Sequence, residues 1–244
     1  MDILQIIKTT LAALKNADIP ACLVGEIALN YYNVPRVVHD IEICIPENSL
    51  SPAVSVLCSK NMFKLEIKED YDLFTEYKRG FPRLLATSVT TLSYAVILFS
   101  DTYFGLNPLD RNIVCQDETR SFTTYSRQIL DLVSKDDIKY IPVPRLPPFF
   151  IGLCRRFLES NDGMARIAAE QLLDGMDLDE EWVKANIISA QPQVLELAMT
   201  LICEKSSCND EFLDHDVTCF VADKEEAERL RRIPGSGFQI IASR

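Results

Sequence analysis

The chain has 244 residues, 48% of them apolar, and a formal net charge of −11, enough apolar material for one large domain or two small ones. No stretch approaches the roughly 20 uninterrupted apolar residues of a membrane span, and MDILQIIKTT has no basic segment leading into an apolar run, so a cytoplasmic or nuclear protein with no membrane partner is expected. The acidic balance argues against a large nucleic-acid partner, because neutralising phosphates takes a basic surface, and eight scattered cysteines without an export signal read as reduced thiols.

Ile3, Ile7, Leu11 and Leu14 recur at helical spacing behind Asp2, a plausible N-cap, which predicts an amphipathic helix over residues 2–17. A short apolar strand is expected at Ala21–Val24; Gly25 breaks it, and Ile27–Tyr32 forms a brief helix before Asn33, Val34 and Pro35 turn the chain back. Val37–Ile45 alternates and is rich in β-branched residues, which predicts a second strand. Ser51 and Pro52 mark a helix start over about 52–61, followed by strands at Phe63–Ile67, Arg83–Val89, Tyr94–Phe99 and Asn112–Cys115.

From Ile141 a proline-rich connector, IPVPRLPP, leads into Phe149–Glu159 and helical patterns at about 163–175, 179–188, 192–205 and 223–232. Several prolines make a semi-rigid extended spacer, so the chain divides into an α+β core, 1–142, with a small mixed sheet, and a mostly helical C-terminal subdomain, 143–244.

The informative stretch is Leu23, Val24, Gly25 and Glu26, then thirteen residues, then Asp40, Ile41, Glu42 and Ile43. Residues two apart on a strand share a face, so Asp40 and Glu42 project together while Ile41 and Ile43 turn to the core. Two neighbouring carboxylates repel unless a cation lies between them or one is protonated. Oxygen ligands so placed suit a hard ion, Mg²⁺ or Mn²⁺, held with substrate phosphates.

Strand, glycine turn, short helix with Ala28 and Leu29, then Val34, Pro35 and Arg36 before Asp40, Ile41 and Glu42: in this order the chain resembles the DNA polymerase beta-type nucleotidyltransferase superfamily. It is similar above all to the minimal nucleotidyltransferases and the transferase toxins of abortive-infection systems. The detailed resemblance covers about residues 20–45, and a looser one extends over Tyr140–Phe157. It implies metal-dependent transfer of a nucleotidyl group from a nucleoside triphosphate to a small-molecule, protein or RNA hydroxyl. Asp40 and Glu42 would hold the metal ions, Gly25 would let backbone amides approach a phosphate, and Arg36, with Arg155 and Arg156 of the helical part, would face the nucleotide.

The pattern also departs from the family. Glu26 stands where relatives carry serine or glycine, and a carboxylate beside a triphosphate repels it unless it faces solvent, pairs with Arg36 or holds a metal. Relatives carry a third carboxylate on a later strand, but Tyr94–Phe99 has no acid, which leaves Asp101 just beyond it, or Glu66, as substitutes. Val38 replaces a frequent threonine, and His39 is expected on the face opposite the carboxylates. The alternative to an enzyme is a catalytically degenerate nucleotidyltransferase-like module for nucleotide sensing or protein interaction.

Three further patterns each have a plainer reading. Cys203, Cys208, His215 and Cys219 could in principle hold zinc, but their spacing is irregular and Cys203 continues an apolar helix face with Leu195 and Met199. Asp174, Asp177, Asp179, Glu180 and Glu181 suit a helix start before Trp182. Gly235, Ser236 and Gly237 read as a loop.

Overall fold

A computed structural model of the protein describes residues 2–59, 62–87, 94–114, 125–187 and 191–208, with 206–208 described by backbone alone. The fold is α+β. Among the described residues it comprises a five-stranded mixed sheet and ten α-helices, of which the last four, from Leu146 on, follow the sheet without further strands. The expected helix at 223–232, the Gly235–Gly237 loop, and Cys208, His215 and Cys219 as ligands lie outside what is described.

Helix α1 (Ile3–Lys15) is capped as expected: the Asp2 carboxylate accepts the Gln5 N–H at 2.7 Å, and Ile3, Ile6, Ile7, Thr10 and Leu14 are buried. Strand β1 (Cys22–Leu23) is short, ended by Gly25, which opens helix α2 (Gly25–Tyr31). Strand β2 covers only Ile41–Ile45. The chain does not run as a strand from Val37: the His39 N–H is taken by the Glu26 carboxylate at 2.7 Å, and pairing with the later strand Ala95–Ser100 begins only at Ile41. Helix α3 (Leu50–Ser59) begins two residues before the expected start at Pro52, after a 3-10 turn at Glu47–Ser49, so that Pro52 falls in the first turn, where its missing N–H costs no helical bond.

Strands β3 (Phe63–Glu66), β4 (Arg83–Ala86) and β5 (Ala95–Ser100) complete the sheet in the order β1-β2-β5-β4-β3, with β2 and β5 parallel and the other pairs antiparallel. The register sets Glu42, Ile97, Arg83 and Glu66 side by side across four strands, so their side chains project from one face. Of the strand expected at Asn112–Cys115, Asn112 instead ends the single turn of α4 (Leu109–Asn112), its side chain bonding back to the carbonyls of Leu106 and Pro108, Ile113 forms an isolated antiparallel bridge with Pro144, and Cys115 lies outside the described residues. Helices α5 (Arg127–Leu132) and α6 (Lys135–Ile138) follow, each capped by a serine side chain.

The connector is not a free spacer. Pro142 accepts the Leu23 N–H at 2.8 Å on the outer edge of β1, Val143 accepts from Val114 at 2.9 Å, and the Pro144 carbonyl accepts the Tyr32 hydroxyl at 2.6 Å. Residues that lack N–H groups here act only as acceptors, which is how a proline-rich segment can line an edge strand. Helix α7 (Leu146–Ser160) then begins inside the connector, with prolines in its first turn, and is followed by α8 (Gly163–Gly175), α9 (Glu180–Asn186) and α10 (Pro192–Cys208). Gly152 of α7 lies so close to Phe104 that a Cβ there would stand 2.0 Å from the Phe104 carbonyl oxygen. Buried side chains from α1 through α10 form one continuous core, shared by the sheet with α1–α6 and by α7–α10. Among the described residues no helix is long and apolar enough to cross a membrane.

Candidate functional site

Asp40 immediately precedes β2 and Glu42 lies within it; they are 7% and 1% exposed. The cations that answer them come from the segment between β3 and β4 and from β4 itself. The 3-10 turn Glu76–Lys78 delivers Lys78, only 3% exposed, whose ammonium lies 2.8 Å from Asp40 Oδ2 and 3.0 Å from Glu42 Oε1. Arg83 donates to Asp40 Oδ1 at 2.9 Å and, through Nε, to Glu66. The Tyr77 hydroxyl donates to Glu42 Oε1. Three of the four oxygens of the pair are therefore occupied by the protein's own donors. The fourth, Glu42 Oε2, is buried and has no hydrogen-bond partner among the described residues.

Burial alone would raise the Asp40 carboxyl, but Lys78 and Arg83 more than offset it and hold the group below its usual range. Glu42 is the reverse case: burial pushes it up, and Lys78 and Tyr77 recover only part of the loss. The Lys78 ammonium, which burial would depress, is raised by the two carboxylates. Tyr77 is raised by burial and by the Glu42 charge beside it, and so stays a donor.

Gly25 has a structural reason that precedes any ligand. Its φ is +56°, and an added Cβ would stand 1.9 Å from Glu42 Oε2. Glu26 is turned back on the chain: its carboxylate accepts the His39 N–H at 2.7 Å and lies 2.8 Å from His39 Nδ1. Of the three alternatives raised by its position, none supplies the hydrogen-bonding partner, which is His39, with the Arg36 charge nearby. His39, expected on the face opposite the carboxylates, precedes β2, is exposed, and borders the same cavity as Glu42.

Glu42, Tyr77 and Lys78 of this cluster, with Gly25 and Glu26, border a cavity of about 400 Å³ between the sheet and helices α7 and α8, within the range of small-ligand pockets. Gly25, Glu26, Arg36, Glu42 and Lys78 line one side, and Phe104, Phe149, Leu153, Met164 and Ala168 line the other. Arg36 is half-buried; burial lowers its guanidinium, and its Nε has no hydrogen-bond partner among the described residues.

No family model and no curated protein matches this chain. Among solved structures it is similar to the solution structure of the antibiotic-resistance factor ANT(2'')-Ia, with a TM-score of 0.41 and 11% identity, covering 86% of this chain and 97% of that one. A likeness so distant bears on neither substrate nor reaction.

The remaining residues expected to serve the site divide. Arg156 reaches the cavity, ion-paired to Asp162 and stacked 4.4 Å from the Tyr103 ring centroid and 4.9 Å from that of Phe104. Tyr103 is pushed up to about 12 by burial. Arg155, one residue earlier on α7, points elsewhere and borders a separate groove with Leu158, Glu159 and Gln191, so the two arginines do not act together. Asp101 is not brought to the pair: it follows the C-terminal end of β5, whereas Asp40 precedes the N-terminal end of the parallel β2, and its Oδ1 accepts the N–H groups of Glu47 and Thr102. Glu66 is nearer, but it is bound to Arg83. Cys203 is exposed and does not continue a buried face. Asp179 caps α9 by accepting from Trp182, as helix-start acids should.

Divalent ions need open carboxylate oxygens, at about 2.0–2.1 Å for Mg²⁺. With Lys78 and Arg83 on three of four oxygens, and no group of three or more metal-ligating side chains suitably placed among the described residues, the donor set as folded does not fit Mg²⁺ or Mn²⁺. Sequence reasoning missed Tyr77, Lys78 and Arg83, which lie 35 to 43 residues beyond their partners. The available signal was the arginine at the head of an otherwise apolar strand, Arg83 before Leu84 and Leu85.

Proposed function

We propose that the chain is a nucleotidyltransferase-like module that binds a nucleotide in the cavity between the sheet and α7–α8 and lacks metal-dependent transfer. The observation that carries this reading is the Lys78 ammonium between Asp40 and Glu42, at the point where the family resemblance would have the carboxylates meet a metal ion. Glu26 on the cavity wall and the engagement of Asp101 and Glu66 elsewhere support it. The aromatic and aliphatic wall from α7 and α8 offers a surface for a base, and Arg36, whose Nε has no hydrogen-bond partner among the described residues, is the cation best placed for an anionic group.

Calorimetry with ATP, GTP, CTP and UTP, each with and without Mg²⁺, tests the reading. Binding of at least one nucleotide with an affinity that does not depend on Mg²⁺ is expected, together with no transfer of label from the triphosphate. Absence of binding by all four leaves only an interaction scaffold.

A second reading, a working transferase using Mg²⁺ or Mn²⁺ and an acceptor hydroxyl, is favoured by one observation: both acids of the pair are present, and Glu42 Oε2 is left without a partner among the described residues. It requires affinity that appears only with the metal and is lost in Asp40→Ala.

A further inference from the structure

We propose that Lys78 is the resident cation of the Asp40–Glu42 pair, and that the pair is a latent divalent-cation site held shut by the protein's own ammonium. The inference rests on the same closed pair as the binding reading, but does not depend on what fills the cavity.

Two acids on one strand face, both more than nine-tenths buried, cannot remain ionised together without a counter-charge. A divalent ion is one solution and a lysine is another. Here Lys78 bridges one oxygen of each acid, at 2.8 and 3.0 Å, as a shared ion would. The bridge is held from several sides. The Lys78 N–H donates to the Thr75 carbonyl at 2.9 Å, fixing the turn. Tyr77 donates to the same Glu42 oxygen, the Tyr103 hydroxyl donates to the Tyr77 carbonyl at 3.2 Å, and the Arg156 guanidinium lies 5.5 Å from the Tyr77 ring centroid. Arg83 supplies a second positive charge, shared between Asp40 and Glu66. Glu42 Oε2 remains as the one oxygen of the pair that the internal cations leave unpartnered among the described residues.

The consequence is specific. Lys78→Ala removes both the charge and the stem that fills the space, leaving two buried carboxylates and room for a metal; Lys78→Met removes the charge and keeps the stem. Mn²⁺ binding is read by the loss of its free electron-paramagnetic-resonance signal, and stability by the thermal midpoint, on the full chain. The wild type is expected to bind no Mn²⁺ at the pair, with its midpoint unmoved. Lys78→Ala should melt lower than the wild type and rise by about 5–10 °C at saturating Mn²⁺, the size of response a roughly 100-fold excess over Kd gives in a chain of this length. Lys78→Met and Lys78→Ala/Asp40→Asn should show no rise. If Lys78→Ala folds only when Mn²⁺ is present, the proposal is likewise supported. It is overturned if wild-type protein binds Mn²⁺ in a way that Asp40→Asn abolishes, or if Lys78→Ala, folded or refolded with Mn²⁺, gains no binding. Either result leaves metal-independent nucleotide binding to be judged by its own calorimetry.

Discussion

Gly25, Asp40 and Lys78 form a chain of dependence in which each residue fixes the next. Gly25 leaves room for the Glu42 carboxylate, Glu42 and Asp40 share Lys78, and Lys78 occupies the place a metal ligand set would need. Part of this is legible in the sequence: the spacing of Asp40 and Glu42 places them on one face, and Gly25 marks the turn. The cause of the turn is not legible, because a positive φ and the approach of a carboxylate from another strand leave no local mark. The same cluster sets a pH dependence. Asp40 has its folded pKa depressed, so its contribution is present above the ordinary carboxylate pKa and is lost as pH falls through the folded value. Asp40→Asn, which leaves Lys78 and Arg83 short of a partner, is expected to cost about 3–5 kcal/mol at neutral pH. The difference from wild type should shrink as pH falls below about 4. Urea unfolding at a series of pH values measures both; a difference independent of pH would show that Asp40 is not ionised and paired in the native state.

At the scale of elements, the long periodic segments are readable and the short ones are not. Helices α1, α7, α8 and α10 follow from apolar spacing over several turns, whereas α4 and α6, four residues each, contain too little sequence for a period to be expressed. The stretch that carries Tyr77 and Lys78 has no periodicity either, which is why the cations of the site do not show in the sequence. The connector fails differently: its last residues, Leu146 to Pro148, belong to α7, and the pairing of Pro142 with the edge of β1 depends on where the chain returns in space. The junction it begins is closed by Gly152. Since a Cβ there would collide with the Phe104 carbonyl oxygen, Gly152→Ala must push α7 away from the turn after β5. A loss of about 1–3 kcal/mol, the usual cost of overpacking, is expected, along with weaker ligand binding because Phe104, Phe149 and Leu153 would separate across the cavity. Denaturant midpoints and ligand titration of this variant check the two effects, and unchanged values for both would show that the junction is looser than its contacts imply.

For the molecule as a whole, the order of elements over residues 20–45 carries the resemblance, and the α+β architecture with its helical C-terminal part follows from it. The inference from fold to reaction does not follow, because activity depends on which charges meet after folding. The chain is acidic overall, and at this one junction Arg36, Lys78 and Arg156 border the cavity with Glu26, Glu42 and Asp72, Lys78 being engaged by the carboxylate pair and Arg156 by Asp162. A cavity so arranged can hold a small anionic ligand against apolar walls while its acids stay closed to metal. Crystals grown with a nucleoside triphosphate and Mn²⁺ put this most directly, since anomalous scattering locates manganese independently of the ligand. Nucleotide in the cavity, Lys78 still bridging the acids and no anomalous peak between them is the predicted result. A manganese peak about 2.2 Å from both Asp40 and Glu42, with Lys78 displaced, would contradict it.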